Sequence, residues 1–427
     1  MLTTKGPNAR VARAAASILA LGLAGCSTPS SATPSPPTRT LTSEQAAGCR
    51  AIFDGSYPDP TEELIIIDDQ TASRVGEQIP SALADAITTA STKGGLITVL
   101  AVDGANTNAR IIAKRVPLSQ PGERDRPSVA RTAAFMPACV KQLLLSQASP
   151  TATGTDLYTP LAAVAELVAN PPPGTTSSLW LLTDMIANTG QASLNNPTLL
   201  QEEPDVAAHA TAATAPLNLH GIAWHLYGVA NTHDHLLEAN RVWLRDYSIA
   251  LCKAWRASGC EENIRLDPPV ANGIRRSAKL PADAPIPFPS AKARSTAGGC
   301  AYAVPGGLLF AGDSAVLRPE AREALAGPIR ALKSSPAARA VVTGHTASSN
   351  AYTDAQLVDL SKRRAAAVAA ALTAGAGIPA DRVSTHGVGD HHPLHEDIDP
   401  KTGLQIPGMA ALERRADLTV TGATTCR

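Results

Sequence analysis

The apolar residues of the middle part of the chain form short continuous runs that alternate with longer segments of helical spacing. The continuous runs predict strands, and the longer segments predict helices. The predicted strands are 63–68, 96–102, 179–183 and 221–229, and the longer segments are 81–92, 130–145, 157–169 and 236–257. Strands that are apolar throughout and separated by helices are typical of a parallel sheet covered on both faces. The pattern therefore predicts a doubly wound α/β domain over residues 49–264.

The C-terminal part of the chain has a different order of predicted elements. They are a strand at 307–310, a helix beginning at Pro319, a strand at 338–346, a helix at 353–374, and strands at 382–389 and 414–422. Proline suits the first turn of a helix, where its missing N–H costs nothing. This βαβαββ order predicts an α+β sandwich over residues 300–427, with the helices on one face of a sheet.

Two segments have no apolar period. Residues 26–48 are rich in Ser, Thr and Pro and predict a disordered tether, whereas the repeated prolines of 265–299 predict a linker between two domains. Lys and Arg number 37, as do Asp and Glu, and aromatic residues make up 3% of the chain. A neutral chain with so few aromatic residues does not favour a nucleic-acid partner.

The first residues have the organisation of a targeting segment. A positively charged start is followed by the short apolar run 14–24, so residues 1–25 are predicted to be a signal peptide. The run ends in Leu23-Ala24-Gly25-Cys26, which resembles the bacterial lipobox. The resemblance implies that Cys26 is acylated and anchors the protein to a membrane, and Ser27 after it favours the outer membrane, facing the periplasm. The alternative is an ordinary cleaved signal whose cysteine pairs elsewhere.

Six further cysteines suit an oxidising compartment. Cys300 and Cys426 bracket the C-terminal region and are candidates for a disulfide, whereas the pairing of the other four stays open. No CxxC spacing indicates zinc or redox chemistry. The chain has no GxSxG elbow, SxxK or phosphate-binding loop in an activating context, so we do not expect an enzyme.

Three short motifs of the middle domain follow or precede predicted elements at the ligand-binding edge of the sheet. Carboxylates and hydroxyls on alternate residues of a tight loop supply the oxygen ligands of a hard divalent cation. The motifs are Asp69-Gln70-Thr71-Ala72-Ser73, Gly154-Thr155-Asp156 and Thr183-Asp184. In the alternative interpretation, Asp69 and Ser73 cap the first helix and Asp184 caps another.

In this order the motifs resemble the von Willebrand factor A domain and its metal-ion-dependent adhesion site, over residues 50–260. The resemblance implies a site for Mg²⁺, or for Ca²⁺ or Mn²⁺, whose open position captures an acidic group of a partner protein. Its metal ligands would be Asp69, Thr71, Ser73, Thr155 and Asp184. The sequence departs from the family pattern at Thr71, where Ser is usual, and at Met185, where Gly is usual.

The C-terminal part carries five motifs that resemble, in order, the OmpA-like peptidoglycan-binding domain. They are FAGDSAVLRP at 310–319, VTGHT at 342–346, LSKRRA at 360–365, GVGD at 387–390 with Pro393, and Arg414-Arg415 before the last strand. The ligand implied by the resemblance is the diaminopimelate-type stem peptide of peptidoglycan. Arg364 would bind its carboxylate in a charge-assisted pair, and Asp313, Thr346, Leu360 and Arg414 would line the pocket.

The main departure from this family is Ala347, which occupies the position of the aspartate that binds the ammonium group of the ligand. Glu413 also replaces an asparagine. Three acidic residues are candidates to substitute for the missing aspartate: Asp354, Asp359 and Glu413. The His-rich and acidic segment 386–397 overlaps a variable loop of the family, so we interpret it as a solvated loop rather than a transition-metal site.

The sequence therefore predicts a membrane-anchored lipoprotein of the bacterial cell envelope that binds peptidoglycan non-covalently through its C-terminal domain. The alternative is a metal-dependent interaction or scaffold protein of an envelope assembly, acting through its middle domain.

Overall fold

The computed structural model describes residues 49–50, 52–53, 60–71, 73–74, 79–104, 108–119, 126–233, 236–266 and 283–426. The predicted signal peptide, Cys26, the predicted tether and residues 267–282 of the predicted linker lie outside these ranges. All described residues fall in one compact unit, Leu41–Arg427. No described helix is both long and apolar enough to cross a bilayer.

The middle domain contains a five-stranded sheet with the order β3-β2-β1-β4-β5. Its strands are β1 (Glu62–Asp68), β2 (Leu96–Ala101), β3 (Arg110–Pro117), β4 (Thr176–Leu182) and β5 (Ala223–Tyr227). Strand β1 is parallel to both β2 and β4, and β4 is parallel to β5, whereas β3 is an antiparallel edge strand. The predicted sheet, rich in parallel pairs, is therefore confirmed.

Two separate cores cover the two faces of this sheet. Ile65 and Ile67 of β1 belong to one core, and Leu64 and Ile66 belong to the other. The helices are α1 (Ser81–Thr92), α2 (Arg126–Gln147), α3 (Tyr158–Ala169), α4 (Pro204–Thr214) and α5 (Glu238–Ala254). Helices α1 and α2 pack on one face and α3, α4 and α5 on the other. Because successive side chains of a strand point to opposite faces, a sheet covered twice requires continuous apolar runs.

The C-terminal domain contains a second five-stranded sheet with the order β6-β7-β10-β8-β9. Its strands are β6 (Lys292–Thr296), β7 (Gly299–Pro305), β8 (Arg339–Gly344), β9 (Val383–Gly387) and β10 (Arg415–Thr421). The pair β8 and β9 is parallel and the other pairs are antiparallel. The helices are α6 (Ala321–Ala324), α7 (Ala326–Lys333), α8 (Asp354–Ala376) and α9 (Pro407–Glu413).

Two predicted elements at the start of this domain were wrong. The predicted strand 307–310 is a short 3-10 turn, Gly306–Leu308, that leads into buried Leu309 and Phe310. The first core strand is instead β7, which lies earlier in the chain. Gly306 allows the turn because a Cβ atom there would lie 2.6 Å from the carbonyl oxygen of Arg414. The single helix predicted from Pro319 is two short helices, α6 and α7.

Strand β6 falls within 265–299, where the sequence predicts a linker. All five of its residues are exposed, so its sequence has no alternation of apolar and polar residues that would predict a strand. It pairs with β7 at the edge of the sheet, where an exposed polar strand is tolerated.

Three disulfides connect the six cysteines. The predicted pair Cys300–Cys426 is present and joins β7 to the C-terminus. The pairs that the sequence left open are Cys49–Cys139 and Cys252–Cys260.

Candidate functional site

Helix α8 positions the predicted carboxylate-binding arginine. The helix begins with a capping box, in which the Thr353 hydroxyl accepts from the Gln356 backbone N–H and the Gln356 side chain accepts from Thr353. The fixed start of the helix places Leu360 and Arg364 one turn apart on the same face.

Arg364 is buried and keeps most of its hydrogen-bonding capacity unused. Only 6% of its surface is exposed. Its Nε donates to the carbonyl oxygen of Ser314 at 2.8 Å, and its guanidinium carbon lies 5.2 Å from the ring centroid of Phe310. A guanidinium has five N–H donors, and within the described part of the chain only Nε makes a hydrogen bond and no carboxylate pairs with this side chain. The remaining donors can bind a carboxylate from outside the chain.

Charged residues of the C-terminal domain and of the middle domain act on Arg364. Burial lowers the pKa of Arg364, and the positive charges of Arg414 and Arg363 act in the same direction. The carboxylates of Asp313 and Glu203 act the other way. Asp313 and Arg414, both predicted to line the pocket, are therefore close enough to interact with Arg364.

A groove of about 440 Å³ lies beside Leu360 and is also lined by Asp313 and Tyr352. The Tyr352 hydroxyl donates to Asp313 Oδ2 at 3.2 Å, and the charge of Asp313 raises the pKa of Tyr352. Asp313 has a φ of 51°, a left-handed conformation that Asp adopts more readily than most residues. The groove thus joins an apolar wall, a carboxylate and a hydroxyl.

Thr346 is buried beside α8, and its hydroxyl makes no hydrogen bond with the part of the chain that the structure describes. Its backbone N–H donates to the Gly389 carbonyl oxygen, and the Gly389 N–H donates to Ser361 of α8. The neighbouring Ala347 is also buried, and its methyl group cannot bind an ammonium group.

Each of the three acidic candidates for the missing aspartate already has a partner. Asp354 lies 2.7 Å from Nε2 of His391, and Asp359 lies 2.8 Å from Nε of Arg363. Glu413 is buried, pairs with Arg415 at 2.9 Å and accepts the backbone N–H groups of Leu394 and His395. The described contacts therefore give Glu413 a structural role.

Two acidic residues of the middle domain lie against arginines of the C-terminal domain. Glu203 pairs with Arg318 at 3.1 Å, and Glu202 lies 3.6 Å from Arg414. Burial raises the pKa of Glu202, which the charge of Arg414 opposes. The sequence gives no local signal for these contacts, because they join positions more than one hundred residues apart.

The second candidate site lies at the carboxyl ends of β1 and β4. Asp69 is fully buried, and its Oδ1 accepts from the backbone N–H and hydroxyl of Thr71 at 2.9 and 2.6 Å. Its Oδ2 accepts from the Thr183 hydroxyl at 2.7 Å. The Thr155 hydroxyl lies 2.8 Å from that of Thr71. The three motifs therefore meet in space.

Asp184 and Ser73 complete the cluster and leave oxygen atoms without partners. Asp184 is fully buried, and burial, followed by the negative charge of Asp69, raises its pKa well above the usual range. The Ser73 hydroxyl faces Asp184 and opposes this rise in pKa. Neither the Ser73 hydroxyl nor Asp184 Oδ2 makes a hydrogen bond of normal geometry with a described residue. Met185 has a φ of 64°, so the left-handed conformation expected of Gly is kept.

These residues fit a hard divalent cation. The donors are carboxylates and hydroxyls, and a buried unpaired carboxylate oxygen is costly unless a positive charge compensates it. Asp69, Thr71, Ser73, Thr155 and Asp184 would hold the ion, which would supply positive charge for an incoming carboxylate. Among the described residues neither capping role is seen, because α1 begins at Ser81 with Pro80 at its N-cap and the first helical turn after Asp184 begins at Leu199.

The His-rich segment shows a smaller cluster. Asp354, Asp390 and His391 place potential ligand atoms within 4.8 Å of one another. Asp354 and His391 are exposed and pair with each other, and nothing further in the described residues points to a metal there.

Comparisons with known proteins concern the C-terminal domain. No curated protein matches the chain. Among solved structures, the cell wall anchor of the T6SS from Pseudomonas aeruginosa is 27% identical over 31% of this chain and 87% of that one, with a TM-score of 0.26. The periplasmic domain of Helicobacter pylori MotB is 15% identical over 32% and 83%, with a TM-score of 0.26.

The OmpA-like domain of FopA1 from Francisella tularensis is 20% identical over 31% of this chain and 81% of that one, with a TM-score of 0.25. The OmpA family profile matches residues 309–402, which contain Asp313, Thr346, Leu360 and Arg364. The C-terminal domain of this protein is therefore OmpA-like.

Proposed function

We propose that this protein belongs to the bacterial cell envelope and binds peptidoglycan non-covalently through its OmpA-like domain. The proposal rests on Arg364, a buried arginine that lies in a motif of the matched family. Only one of its N–H donors makes a hydrogen bond within the described part of the chain. Arg forks bind carboxylates bidentately, and the stem peptide supplies carboxylates. Leu360, one helical turn before this arginine, and Asp313, whose charge acts on it, offer an apolar wall and an acid in the neighbouring groove, which Arg363 lines and Arg364 does not.

Asp313 is our candidate for the ammonium group of the ligand in place of the absent aspartate. It lines the groove, it interacts with Arg364, and its hydroxyl partner Tyr352 is exposed. By contrast, Asp354, Asp359 and Glu413 already pair with basic side chains.

Calorimetric titration of the full chain with a soluble stem peptide ending in diaminopimelate tests both roles. Arg364→Ala should abolish binding, and Asp313→Asn should weaken it about tenfold, because each loses a charge-assisted bond worth about 1.5–3 kcal/mol or more. Arg322→Ala, an exposed arginine that does not line the groove, serves as the control. Unchanged affinity in Arg364→Ala would contradict the proposal.

The membrane anchor is proposed from the lipobox resemblance alone. In cells given a labelled fatty acid, the wild-type chain should carry the label and sediment with membranes, and Cys26→Ser should do neither. Label retained by Cys26→Ser would exclude this cysteine as the acylation site.

A second candidate function is metal-dependent binding of a protein partner by the middle domain, as in a von Willebrand factor A domain. It is favoured by the unpaired Oδ2 of buried Asp184 at the point where the three motifs meet. Mn²⁺ should bind the wild-type chain, and Asp69→Ala should remove this binding. Equal binding by Asp69→Ala would place the ion elsewhere.

A further inference from the structure

Residues 283–290, which precede β6, contact the cluster of candidate metal ligands in the middle domain. Asp283 Oδ1 accepts from the backbone N–H of Gly154 at 2.8 Å, and its Oδ2 lies 3.1 Å from the hydroxyl of Thr155. Thr155 is one of the five candidate metal ligands, and its hydroxyl also contacts that of Thr71.

The rest of the segment is fixed by contacts with the middle domain. Asn188 connects this segment to the candidate ligand Thr155. Its Nδ2 donates to the Ala284 carbonyl oxygen, and its Oδ1 accepts from Thr155 N–H. Ile286 and Phe288 pack against the core of the middle domain, and Asn240 Nδ2 donates to the Pro289 carbonyl oxygen. Three prolines, at 285, 287 and 289, restrict the backbone between these contacts.

The cluster contains more oxygen lone pairs than hydrogens to share among them. The Thr155 hydroxyl has a single hydrogen but faces both Asp283 and Thr71, and Thr71 already donates to Asp69. Asp184 Oδ2 accepts no hydrogen bond of normal geometry from a described residue, although the Ser73 hydroxyl faces Asp184. Asp69 and Asp184 act on each other, and Asp283 reaches the cluster through Thr155. The charge of Arg74 offsets part of the negative charge on Asp184, and a divalent cation would supply the rest.

Space for an ion and water lies next to the docked segment. A cavity of about 150 Å³ is lined by Ser73, Asn188 and Asp283, and by apolar side chains that include Phe288. Of the five candidate metal ligands, only Ser73 lines it. A single water molecule occupies about 30 Å³ in the liquid, so the cavity has room for several water molecules.

We propose that Asp283 is a carboxylate ligand of the divalent cation, supplied by the chain itself. The proposal rests on the metal-dependent function proposed for the middle domain. Residues 283–290 then close the site, and an acidic group of a partner reaches the cation only by displacing Asp283. Since β6 begins at Lys292, the same contact fixes the start of the C-terminal domain to the middle domain.

Calorimetric titration of the full chain with Mn²⁺ tests the assignment. Asp283→Asn, an isosteric change, should weaken Mn²⁺ binding by about tenfold or more, because affinity at such sites follows the number of charged ligands. Asp69→Ala should abolish binding. Asp85→Asn, the same change at an exposed residue of α1 with no described side-chain hydrogen bond or ion pair, should bind like wild type.

The outcomes separate the two proposals. If Asp69→Ala loses Mn²⁺ while Asp283→Asn keeps wild-type affinity, Asp283 is not a ligand and only this inference fails. If Asp69→Ala also binds like wild type, or if wild type does not bind, the metal site itself fails.

Hydrogen exchange gives a second readout of Mn²⁺ binding, and exchange in β1 and β4 without the ion shows whether Asp283→Asn is folded. Mn²⁺ should slow amide exchange in residues 283–290 of wild type and of Asp85→Asn, but not of Asp283→Asn. Slowing of equal size in Asp283→Asn would overturn the assignment.

Discussion

Glu413 allows a quantitative test of the buried contacts between α9 and the loop at Leu394 and His395, because the structure gives it a role in stability rather than in ligand binding. Only 2% of its surface is exposed, and its Oε2 lies 2.9 Å from Nη1 of Arg415, which is itself buried. It also accepts the backbone N–H groups of Leu394 and His395. Glu413→Ala therefore leaves a buried charge with one partner fewer.

Breaking a buried ion pair by removing one partner costs about 3–5 kcal/mol. Arg415 keeps Asp417 at 3.2 Å, and Leu394 is exposed, so its N–H can bind water instead. We therefore expect a loss near the lower end, about 3 kcal/mol, seen in urea denaturation followed by circular dichroism. Glu413→Gln keeps an acceptor for the N–H groups and should lose about 1.5–3 kcal/mol.

Exposed Glu396 lies in the loop that contains Leu394 and His395, and Glu396→Ala should stay within about 0.5 kcal/mol of wild type. A loss below about 1 kcal/mol in Glu413→Ala would refute the structural role. Weaker wall binding by Glu413→Gln at unchanged stability would instead make Glu413 a ligand.

The pH dependence has a defined sign. Burial alone would raise the pKa of Glu413, but hydrogen bonds from Leu394 and His395 and the charge of Arg415 outweigh it and hold this pKa below its ordinary value. A depressed carboxyl pKa contributes stability that is complete above the ordinary glutamate pKa, about 4.3, and is lost as the pH falls through the folded value. The stability difference between wild type and Glu413→Gln should therefore shrink below about pH 4.

Three further predictions concern other parts of the chain. Replacing Cys300 and Cys426 by Ser opens a loop with a sequence separation of 126 and should cost about 4–5 kcal/mol in urea denaturation; a loss under about 1 kcal/mol would contradict this. Met185→Gly relieves left-handed strain of about 1–2 kcal/mol but removes a buried side chain worth about 2–5 kcal/mol, so thermal denaturation should show a net loss with unchanged Mn²⁺ affinity. Chelation by EDTA should leave cell wall binding by the full chain unchanged, because the groove shares no residue with the metal cluster; lost binding would couple the two sites.

The core strands of the middle domain were predictable because burial on both faces imposes a continuous apolar run, as in β1. Strand β3 was missed because its residues are only half-buried at the edge of the sheet, which leaves no clear period. Helix α4 was missed because its Ala- and Thr-rich sequence has few large apolar residues.

The predicted site residues were found through local motifs, and the structure brings the five middle-domain residues together. The OmpA-like assignment is confirmed by the family match, whereas the von Willebrand factor A assignment stays a prediction. The sequence could not predict the roles of Asp283, Glu202 and Glu203. Their contacts depend on how distant segments pack, which produces no recognisable spacing of residues in the sequence.

The most direct test of the central proposal is co-sedimentation of the full chain with purified diaminopimelate-type sacculi. Wild type and Arg322→Ala should pellet with the sacculi, and Arg364→Ala should stay in solution with unchanged circular dichroism. Equal pelleting of Arg364→Ala and wild type would contradict the account, as would a wild-type chain that stays in solution.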